Sequence, residues 1–336
     1  MPTVAHGRRT SELEDSDMVA RAAWLHYVGG LTQSEVARRL HISNTRAHRF
    51  IARAESDGLV RVFVDVEHAG CVQLETALME RYGLTLCRVA MDVPEPGPLP
   101  LRALSALGAD FLMRAVQSGT YPVIGIGNGR TLSAAVDAMG RTPAGAVRFV
   151  SLMGGLTRSY AANPYDVIHK LAQKTGAESY LMPVPLFADS PQDKKVLQAQ
   201  SGLSMSMRLI DEAALMVIGI GALDAEAGAA SATSLGAEAA RGALKARGAE
   251  AEILGQFLDG DGNLLPSDHD ARVMAPPLTA LRQREVVAIA GGQTKTGALR
   301  AALRSGLLTG LILDEATARS LADNAPETGA GTQNQT

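Results

Sequence analysis

The chain has 336 residues, of which 46% are hydrophobic, and 32 lysines and arginines stand against 35 aspartates and glutamates. This length and composition suffice for two or three globular domains with filled cores, which excludes a disordered chain. The formal net charge of −3 excludes a protein that coats nucleic acid with its whole surface, so any DNA contact must be local.

The cysteines and the apolar runs bear on the compartment. Cys71 and Cys87 lack CxxC spacing and further ligand-type neighbours, so we expect neither a disulfide scaffold nor a metal site. The N-terminus lacks the apolar core of a signal peptide, and the longest apolar run, residues 213–223, is too short to span a bilayer. We therefore expect a cytoplasmic protein that has no membrane contact.

The chain starts with a polar segment and a first helix. Residues 1–14 are polar and of mixed charge, and we predict a mobile leader there. The Asp-Ser-Asp sequence at 15–17 can cap a helix whose apolar residues between 18 and 27 pack behind the next two helices. The glycine pair at 29–30 should end this helix.

A helix-turn-helix motif is predicted between residues 31 and 54. Thr32 followed by Glu35 has the spacing of a capping box and predicts a helix start, and Ser43 offers the N-cap of a second helix. Small residues at 37 and 47 allow the two helices to cross closely.

The turn of this motif contains His41 where such turns often have glycine. Histidine tolerates a positive φ better than most residues. We therefore expect a strained turn at this position.

The outward face of the second helix predicts binding to double-stranded DNA. Six arginines against three carboxylates between residues 31 and 61 make this region basic within an acidic protein. Arginine pairs bidentately with guanine and asparagine with adenine, whereas hydroxyls and N-terminal amides suit phosphate. The alternative is an ordinary helical hairpin with a solvated charged face. The predicted DNA-binding residues are Thr32, Gln33, Ser43, Asn44, Thr45, Arg46, His48, Arg49 and Arg53.

The segment after this motif predicts a wing and the start of a second domain. An Asp-Gly turn precedes an alternating strand at 59–66, which together give the wing. We therefore place a DNA-binding domain at 15–66, a second domain at 67–323 and a disordered tail at 324–336. The next predicted elements are a helix at 69–82, a strand at 84–90, a proline-rich loop at 94–100 and a helix at 101–118.

Further along, short apolar strands alternate with helices, a pattern that predicts βαβ units and a largely parallel sheet covered on both faces. Ligands of such sheets bind beyond the carboxyl ends of the strands, where glycine-rich turns meet helix N-termini. The predicted strands are 123–126, 148–153, 179–184, 214–220, 253–258, 286–290 and 311–313.

The turn after the first of these strands is a candidate anion site. The sequence GIGNGRT at 125–131 lets successive amides converge at a helix N-terminus, with Arg130 and Thr131 as further donors. The P-loop GK[ST] is absent, and the glycine spacing departs from the dinucleotide fingerprint. A single phosphate or a small polar ligand therefore fits better than NAD, and the alternative is a structural glycine turn.

Other strand ends add polar groups to this site. Lys295 follows the glycine pair at 291–292, Glu252 precedes a strand, and two polar residues follow the glycine pair at 154–155. For each residue alone, a surface charge or a helix cap is an equally good interpretation. The predicted effector-binding residues are Gly127, Asn128, Gly129, Arg130, Thr131, Gly154, Gly155, Arg158, Asn163, Glu252 and Lys295.

Motifs of catalysis are missing from the sequence. It contains no nucleophile elbow, no HExxH, no EF-hand and no metal-spaced histidine cluster. We therefore predict a protein without catalytic residues, metal or cofactor.

The ordered set of motifs resembles one known family. The head sequence MVARAAWLHYVGGLTQSEVARRLHIS, followed by GIGNGRTL, SLMGG, NPYDVIHKLA and AIAGGQTKTGALRAALRSGLL, is similar to the SorC/DeoR sugar-binding transcriptional regulators. The resemblance runs from about residue 15 to 322. Within the family, NTRAHRFIARA at 44–54 is similar to the erythritol-catabolism repressors.

This resemblance implies an α/β architecture: a helix-turn-helix domain plus a Rossmann-like doubly wound effector domain, similar to ribose-phosphate isomerase, glucosamine-phosphate deaminase and CoA-transferases. It also implies a phosphorylated sugar or polyol effector, and a homodimer or homotetramer on a palindromic operator. The loops at 127–131 and 154–155 match the phosphate-cradling loops of the family, Lys295 matches the lysine after its GG turn, and Glu252 matches an acidic ligand position.

Two positions depart from the family pattern. Ala251 stands where glycine is common, and Asn128 stands where tryptophan is frequent. The change at Ala251 implies a different pocket floor. The change at Asn128 bears on specificity, as does the recognition-helix sequence NTRAHRF at 44–50.

The sequence leaves three functions open. The leading hypothesis is a repressor that a phosphorylated sugar or polyol switches. The alternatives are a sugar-phosphate isomerase or deaminase with a DNA-binding head and a glycine-loop nucleotide-binding protein, because fold alone does not fix function.

Overall fold

The computed structural model describes residues 15–57, 59–60, 69–155, 166–223 and 238–323. The chain divides into two compact units, Met1–Asp65 and Val66–Thr336, each of which is described by itself below. The predicted leader, the wing strand beyond residue 60, the site residues Arg158 and Asn163, and the predicted tail lie outside the described residues.

The first unit is a helical head. Its helices share one apolar core, in which Val36, Ala47 and Phe50 are almost fully buried. This common core stabilises the helices, because helices of this length are marginal in isolation. They are α1 over residues 15–23, which continues as the π-helical turn Trp24–Val28, α2 over Gln33–Leu40 and α3 over Asn44–Ser56.

The starts of α2 and α3 are capped as the sequence predicts. The Thr32 amide donates to Glu35 Oε2 at 2.8 Å, and the Glu35 amide donates to Thr32 Oγ1 at 3.4 Å, which completes a capping box. Ser43 Oγ accepts from the Arg46 amide at 3.2 Å. The predicted helix starts are therefore confirmed.

The turn between α2 and α3 is strained at His41. This residue has φ 55° and ψ 43°, the left-handed region that costs an L-residue about 1–2 kcal/mol. Its amide donates to the Arg38 carbonyl at 3.3 Å. The predicted strain at His41 is confirmed.

The end of α1 differs from the prediction. The apolar stripe is predicted to stay packed through Tyr27, but Tyr27 is 38% exposed. Trp24, the single tryptophan of the chain and not part of that stripe, is 65% exposed. A π-helical turn holds more residues per turn than an α-helix, so side chains in it rotate away from an α-helical stripe. The Tyr27 hydroxyl donates to Glu55, and this bond is the main cause that raises the pKa of Tyr27 to about 12.

The second unit is built on a seven-stranded sheet in which every pairing is parallel. The strands are β1 Leu86–Ala90, β2 Val123–Ile126, β3 Arg148–Ser151, β4 Ser179–Tyr180, β5 Leu215–Ile218, β9 Glu285–Ile289 and β10 Gly310–Asp314. Their order is β1-β10-β9-β5-β2-β3-β4. The carboxyl ends of β2, β5 and β9 therefore lie side by side.

Helices cover both faces of this sheet. Successive strand residues point to opposite faces, so Val123 joins one apolar core and Ile124 the other. The predicted parallel sheet with two covered faces is confirmed. The helices are α4 Ala69–Tyr82, α5 Leu101–Gln117, α6 Arg130–Ala138, α7 Ile168–Thr175, α8 Pro191–Gln198, α9 Ser201–Glu212, α10 Glu238–Ala246, α11 Leu278–Leu281, α12 Thr296–Arg304 and α13 Glu315–Asp323.

The predicted strand at 253–258 is wrong. The segment instead holds the end of one strand, a two-residue turn and most of the next strand of an antiparallel hairpin. This hairpin belongs to a separate sheet of the order β6-β7-β8, where β6 is Gly221–Ala222, β7 is Ala249–Ile253 and β8 is Gln256–Asp259. Leu254 and Gly255 form the turn with φ values of 50° and 78°. A β-carbon at Gly255 would lie 2.9 Å from Val273 Cγ2, so the turn needs glycine for space as well as for its φ.

The two cysteines lie in the second unit. Cys71 and Cys87 are free and buried, and burial raises the pKa of the Cys87 thiol to about 12. Among the described residues, no helix is both long and apolar enough to cross a membrane.

Candidate functional site

The nine predicted DNA-binding residues all lie on the surface of the head. On α3, the buried positions 47, 50, 51 and 54 form one stripe, and the polar positions occupy the rest of the helix. The start of the helix also exposes the Ser43 cap and the amides of its first turn. This arrangement suits a helix that lies in a major groove with its N-terminal residues toward the bases.

Two arginines of α3 flank the buried Phe50. The Arg46 and Arg49 guanidinium carbons lie 5.1 and 5.8 Å from the centre of the Phe50 ring. Arg46 Nη2 also lies 3.1 Å from Asp15 Oδ1. This ion pair is exposed and worth at most about 1 kcal/mol, so DNA phosphates or bases can replace Asp15 at little cost.

Removal of the Thr32 hydroxyl should loosen α2. In Thr32→Ala the capping box loses its acceptor for the Glu35 amide, which costs about 1 kcal/mol. Amide hydrogen exchange in the first turns of α2 should then be about fivefold faster. Ser34→Ala, an exposed change in the same helix, is the control and should leave exchange unchanged. Equal exchange in both variants would contradict the role of the cap.

A second candidate site lies at the carboxyl ends of β2, β5 and β9. Two hydrogen bonds hold these ends together: the Gly127 amide donates to the Val217 carbonyl at 2.9 Å, and Thr131 Oγ1 donates to the Ile289 carbonyl at 2.8 Å. The sheet order therefore brings the predicted residues 127–131 next to the turn that follows β9. The Thr131 hydroxyl proton is used within the fold, where it fixes the start of α6 against the sheet.

Asn128 is the polar group in this crevice that most needs a partner. Both its amide nitrogen and its amide oxygen are buried, and neither has a hydrogen-bond partner among the residues that the structure describes. A buried amide without partners costs about 1–3 kcal/mol per group. Gly129 has φ 144°, and it leaves the start of α6 without a side-chain cap.

The turn after β9 is held by a buried carboxylate. Asp314 Oδ1, at the end of β10, accepts from the Gly292 amide at 2.8 Å, and Asp314 Oδ2 accepts from the Thr317 amide at 3.0 Å. A β-carbon at Gly291 would lie 2.0 Å from Asp314 Oδ1. Asp314 therefore fixes the path of the chain into Lys295, a positioning role that the sequence analysis missed although Asp314 stands at a predicted strand end.

Lys295 lies directly before the start of α12. It is 7% exposed, and its Nζ donates to the Ile220 carbonyl at 2.8 Å. Burial, and then the charge of Arg130, lowers the pKa of Lys295 to about 8, although Glu252 acts in the opposite direction. The predicted residues Lys295, Arg130 and Glu252 thus form one group of interacting charges.

Glu252 lies on the far side of this group, on β7. Its position pairs with Gly221 of β6, directly after the Ile220 carbonyl that Lys295 binds. Glu252 Oε1 accepts from the Gly255 amide at 2.6 Å, which fixes the carboxylate. Arg130 and Glu252 are partly exposed, whereas Lys295 and the polar atoms of the Asn128 amide are buried.

The glycine pair after β3 has structural roles in this unit. The amides of Gly154 and Gly155 donate to the Met274 and Met182 carbonyls at 2.9 and 3.1 Å, so these two N–H groups are not available to an anion. A β-carbon at Gly154 would lie 2.4 Å from the Pro185 oxygen. Effector contact at this pair stays a prediction, as it does for the residues outside the described ranges.

Asp166 lies against this pair and was not among the predicted residues. A β-carbon at Gly155 would lie 2.5 Å from Asp166 Oδ2, and Asp166 Oδ1 accepts from the Ile168 amide at 2.9 Å. Burial raises the pKa of the Asp166 carboxyl above its ordinary value, although the Ile168 amide and His169 act in the opposite direction. Its one sequence signal is its position two residues before a helix.

A groove lies elsewhere, between the edge strand β4 and helices α8 and α9. It measures about 470 Å³ and is lined mainly by apolar groups such as Tyr180, Leu197 and Leu203, without a carboxylate or a cation. Its chemistry does not suit a charged ligand. In the described part of the chain, no group of three or more histidines, cysteines or carboxylates is arranged to hold a metal ion.

Comparison with known families gives two matches. A family described as "Putative sugar-binding domain" matches residues 66–322, and one described as "Winged helix-turn-helix DNA-binding" matches residues 29–61. The first covers the sheet domain with the crevice, and the second covers α2 and α3.

Two relatives and one solved structure resemble the whole chain. It is 45% identical over 307 residues to the erythritol catabolism regulatory protein EryD of Brucella abortus (strain 2308), which covers 91% of this chain and 96% of that protein. It is 31% identical over 314 residues to the transcriptional regulator LsrR of Klebsiella pneumoniae, which covers 92% and 94%. The full-length sorbitol operon regulator SorC from Klebsiella pneumoniae shares the fold, with a TM-score of 0.67 at 24% identity over 92% and 99% of the two chains.

Proposed function

The chain belongs to the family of SorC/DeoR-like sugar-binding transcriptional regulators, and from this premise we propose that it is a cytoplasmic repressor released from its operator by a phosphorylated sugar or polyol. Like its relatives, it is a regulator and not an enzyme. The isomerase or deaminase alternative is therefore not retained.

The charge group around Lys295 is the observation that supports a phosphorylated effector. A buried lysine and Arg130 stand beside the uncapped start of α6, and cations with helix N-terminal amides are the groups that bind phosphate. The effector phosphate would offset the repulsion between the two cations.

The observation that supports a hydroxylated carbon chain is the pair Asn128 and Glu252. The Asn128 amide lacks both a donor and an acceptor partner among the described residues, and a sugar hydroxyl supplies both. The Glu252 carboxylate accepts hydrogen bonds from hydroxyls. The name of the relative EryD refers to erythritol catabolism, so we propose a short polyol phosphate, or the sugar phosphate made from it, as the effector.

DNA release requires that the effector bind one arrangement of the protein better than another, because a ligand shifts an equilibrium only through differential affinity. We propose a homodimer or homotetramer whose heads span the two halves of a palindromic operator. Effector binding at the strand ends would favour the arrangement in which the two heads no longer match the half-site spacing.

A thermal unfolding screen tests this function. Phosphorylated sugars and polyols should raise the unfolding temperature of the full-length protein, with about 2.7 kcal/mol of stabilisation at a hundredfold excess over Kd, and should release a labelled operator fragment. NAD and ATP are the controls for the nucleotide-binding alternative. Stabilisation by nucleotides alone, or by unphosphorylated sugars alone, would contradict the proposal.

Effector affinity should fall at alkaline pH. Lys295 attracts a phosphate only while protonated, and with a pKa of about 8 its charged fraction drops about tenfold between pH 7 and pH 9. Arg130 and Glu252 are the charged groups that act on Lys295 electrostatically. Affinity for erythritol phosphate should therefore fall by up to about tenfold. In Lys295→Arg the decline should disappear, and an unchanged decline would assign it to another group.

A further inference from the structure

The bonding of Lys295 is unusual for a lysine that only binds a phosphate. Among the described residues, its Nζ hydrogen-bonds to the neutral carbonyl of Ile220 and forms no ion pair with a carboxylate. By contrast, Lys170 Nζ lies 2.7 Å from Asp137 Oδ2. Burial of the Lys295 ammonium group therefore costs desolvation free energy, which no described carboxylate offsets by direct contact.

The groups around Lys295 match those that make an amine nucleophilic. A lysine that is desolvated and placed beside a second cation is the arrangement that activates amines for attack on carbonyl carbons. Lys295 is 7% exposed, and Arg130 is the cation that disfavours its charged form. With a pKa of about 8, about a tenth of the amine is neutral at pH 7.

A proton acceptor is also in place. Glu252 acts on Lys295 electrostatically, and its carboxylate is fixed by the 2.6 Å bond from the Gly255 amide. The register of β6 and β7 sets Glu252 opposite Gly221, the residue after the carbonyl that binds Nζ. A carboxylate at this position can take a proton from the amine and return it to the oxygen of a bound carbonyl.

We propose that Lys295 forms a reversible imine with the carbonyl carbon of a phosphorylated aldose or ketose effector, with Glu252 as the proton carrier. This inference rests on the proposed function and narrows its effector from sugars and polyols to sugars with a free carbonyl. The chain remains a regulator, because the bond reverses by hydrolysis and no product is made.

The step balances without a further reactant. The ammonium gives one proton to Glu252, and the neutral nitrogen attacks the carbonyl carbon, so that a C–N bond forms and the C=O π electrons move to oxygen. The oxygen takes up the proton from Glu252 and a second proton from the nitrogen, and it leaves as water. A C=N bond replaces the C=O bond, the positive charge stays on nitrogen, and nothing is oxidised or reduced.

This chemistry gives the regulator a means to tell a sugar phosphate from the polyol phosphate. A polyol has no carbonyl carbon, so it can occupy the phosphate and hydroxyl positions but cannot form the C–N bond. The covalent effector must therefore carry an aldehyde or a ketone carbon. The iminium keeps the positive charge beside Glu252, so the bond does not remove the cation that holds the phosphate.

Borohydride trapping on the full-length protein tests the inference. The protein is incubated with dihydroxyacetone phosphate or erythrose phosphate at saturating concentration, reduced with sodium borohydride, digested and analysed by mass spectrometry. We expect a reduced adduct on the peptide that contains Lys295, at a level at least about tenfold above Lys170, whose amine is held in an ion pair with Asp137. Erythritol phosphate and omission of borohydride are the blanks.

Variants make the assignment specific. Lys295→Arg keeps the charge and should lose the adduct, whereas Lys170→Arg should keep it. Absence of an adduct on Lys295, or equal labelling of Lys170, overturns the imine. Thermal shifts with the same ligands separate the two proposals: stabilisation without an adduct overturns only the imine, whereas neither stabilisation nor adduct overturns the proposed effector class as well.

Discussion

Replacement of Arg49 by alanine is expected to weaken operator binding by about tenfold to a hundredfold. The guanidinium is exposed on α3 and lies 5.8 Å from the Phe50 ring, whose burial fixes the base of this side chain. A bidentate arginine contact to guanine is worth about 1–3 kcal/mol of discrimination against the wrong base. The loss should therefore be larger for the operator than for unrelated DNA of the same length.

The experiment compares the two DNAs at matched salt, because phosphate contacts alone make affinity strongly salt-dependent. Arg21→Ala is the control. Arg21 is an exposed arginine of the same head whose Nε lies 2.8 Å from Asp17 Oδ2, and it lies on α1 rather than on α3. Size-exclusion chromatography should show an unchanged oligomer in both variants. An operator affinity that is the same for Arg49→Ala and Arg21→Ala would refute the recognition helix.

The change Gly291→Ala is expected to destabilise the sheet domain by about 3–5 kcal/mol. Its β-carbon would lie 2.0 Å from Asp314 Oδ1, an oxygen that the Gly292 amide and Thr317 hydroxyl bind at 2.8 Å each. Relief of the clash requires that the buried carboxylate lose its donors, and an uncompensated buried charge is costly. Because the same turn leads into Lys295, effector-induced stabilisation should be lost too.

Urea unfolding followed by circular dichroism measures this effect. Gly202→Ala is the matched control, since Gly202 lies within α9 and a β-carbon there meets no atom within 4 Å. In a helix, alanine is favoured over glycine by about 0.5–1 kcal/mol, so the control should be neutral or slightly more stable. A Gly291→Ala protein as stable as Gly202→Ala would show that the turn can move without cost.

The sequence predicted helix starts better than strand ends. Thr32, Glu35 and Ser43 signal their caps through local chemistry, and each cap is present in the structure. The strand predicted at 148–153 is too long by two residues, because Leu152 and Met153 are buried but lie beyond the ladder. An apolar run in the sequence indicates which residues are buried. The length of a strand depends instead on the hydrogen bonds that it forms with the neighbouring strand.

The hairpin of β7 and β8 shows a second limit of prediction from the sequence. The residues around Leu254 and Gly255 read as one apolar run, and nothing in a leucine signals a φ of 50°. The reversal depends on tertiary contacts that fill the space around the turn, including Val273 and Phe187. These partners lie too far away in the chain for a local pattern to reveal them.

For the candidate site, the residues of the charge group could be predicted from the sequence, but the hydrogen bonds around them could not. Lys295 and Arg130 could be grouped in advance because parallel strands present their carboxyl ends at one edge. Glu252 joins them from β7 of the separate antiparallel sheet, which the sequence did not predict. The sequence could not show which hydrogen-bond donors remain available for a ligand. The Thr131 hydroxyl donates to Ile289 and the Gly154 amide donates to Met274, and such long-range partners decide whether a group remains available for a ligand.

The exposed indole of Trp24 has a practical consequence for the study of signalling in this protein. It is the single tryptophan of the chain and is 65% exposed on the π-helical turn of the head, so tryptophan emission from the native protein arises in the head alone. The fluorescence emission of Trp24 therefore does not report events that are confined to the sheet domain. A sugar phosphate that binds at Lys295 changes this emission only when its effect reaches the head. Tryptophan fluorescence of the unlabelled protein can therefore distinguish effector binding at Lys295 from the response of the head.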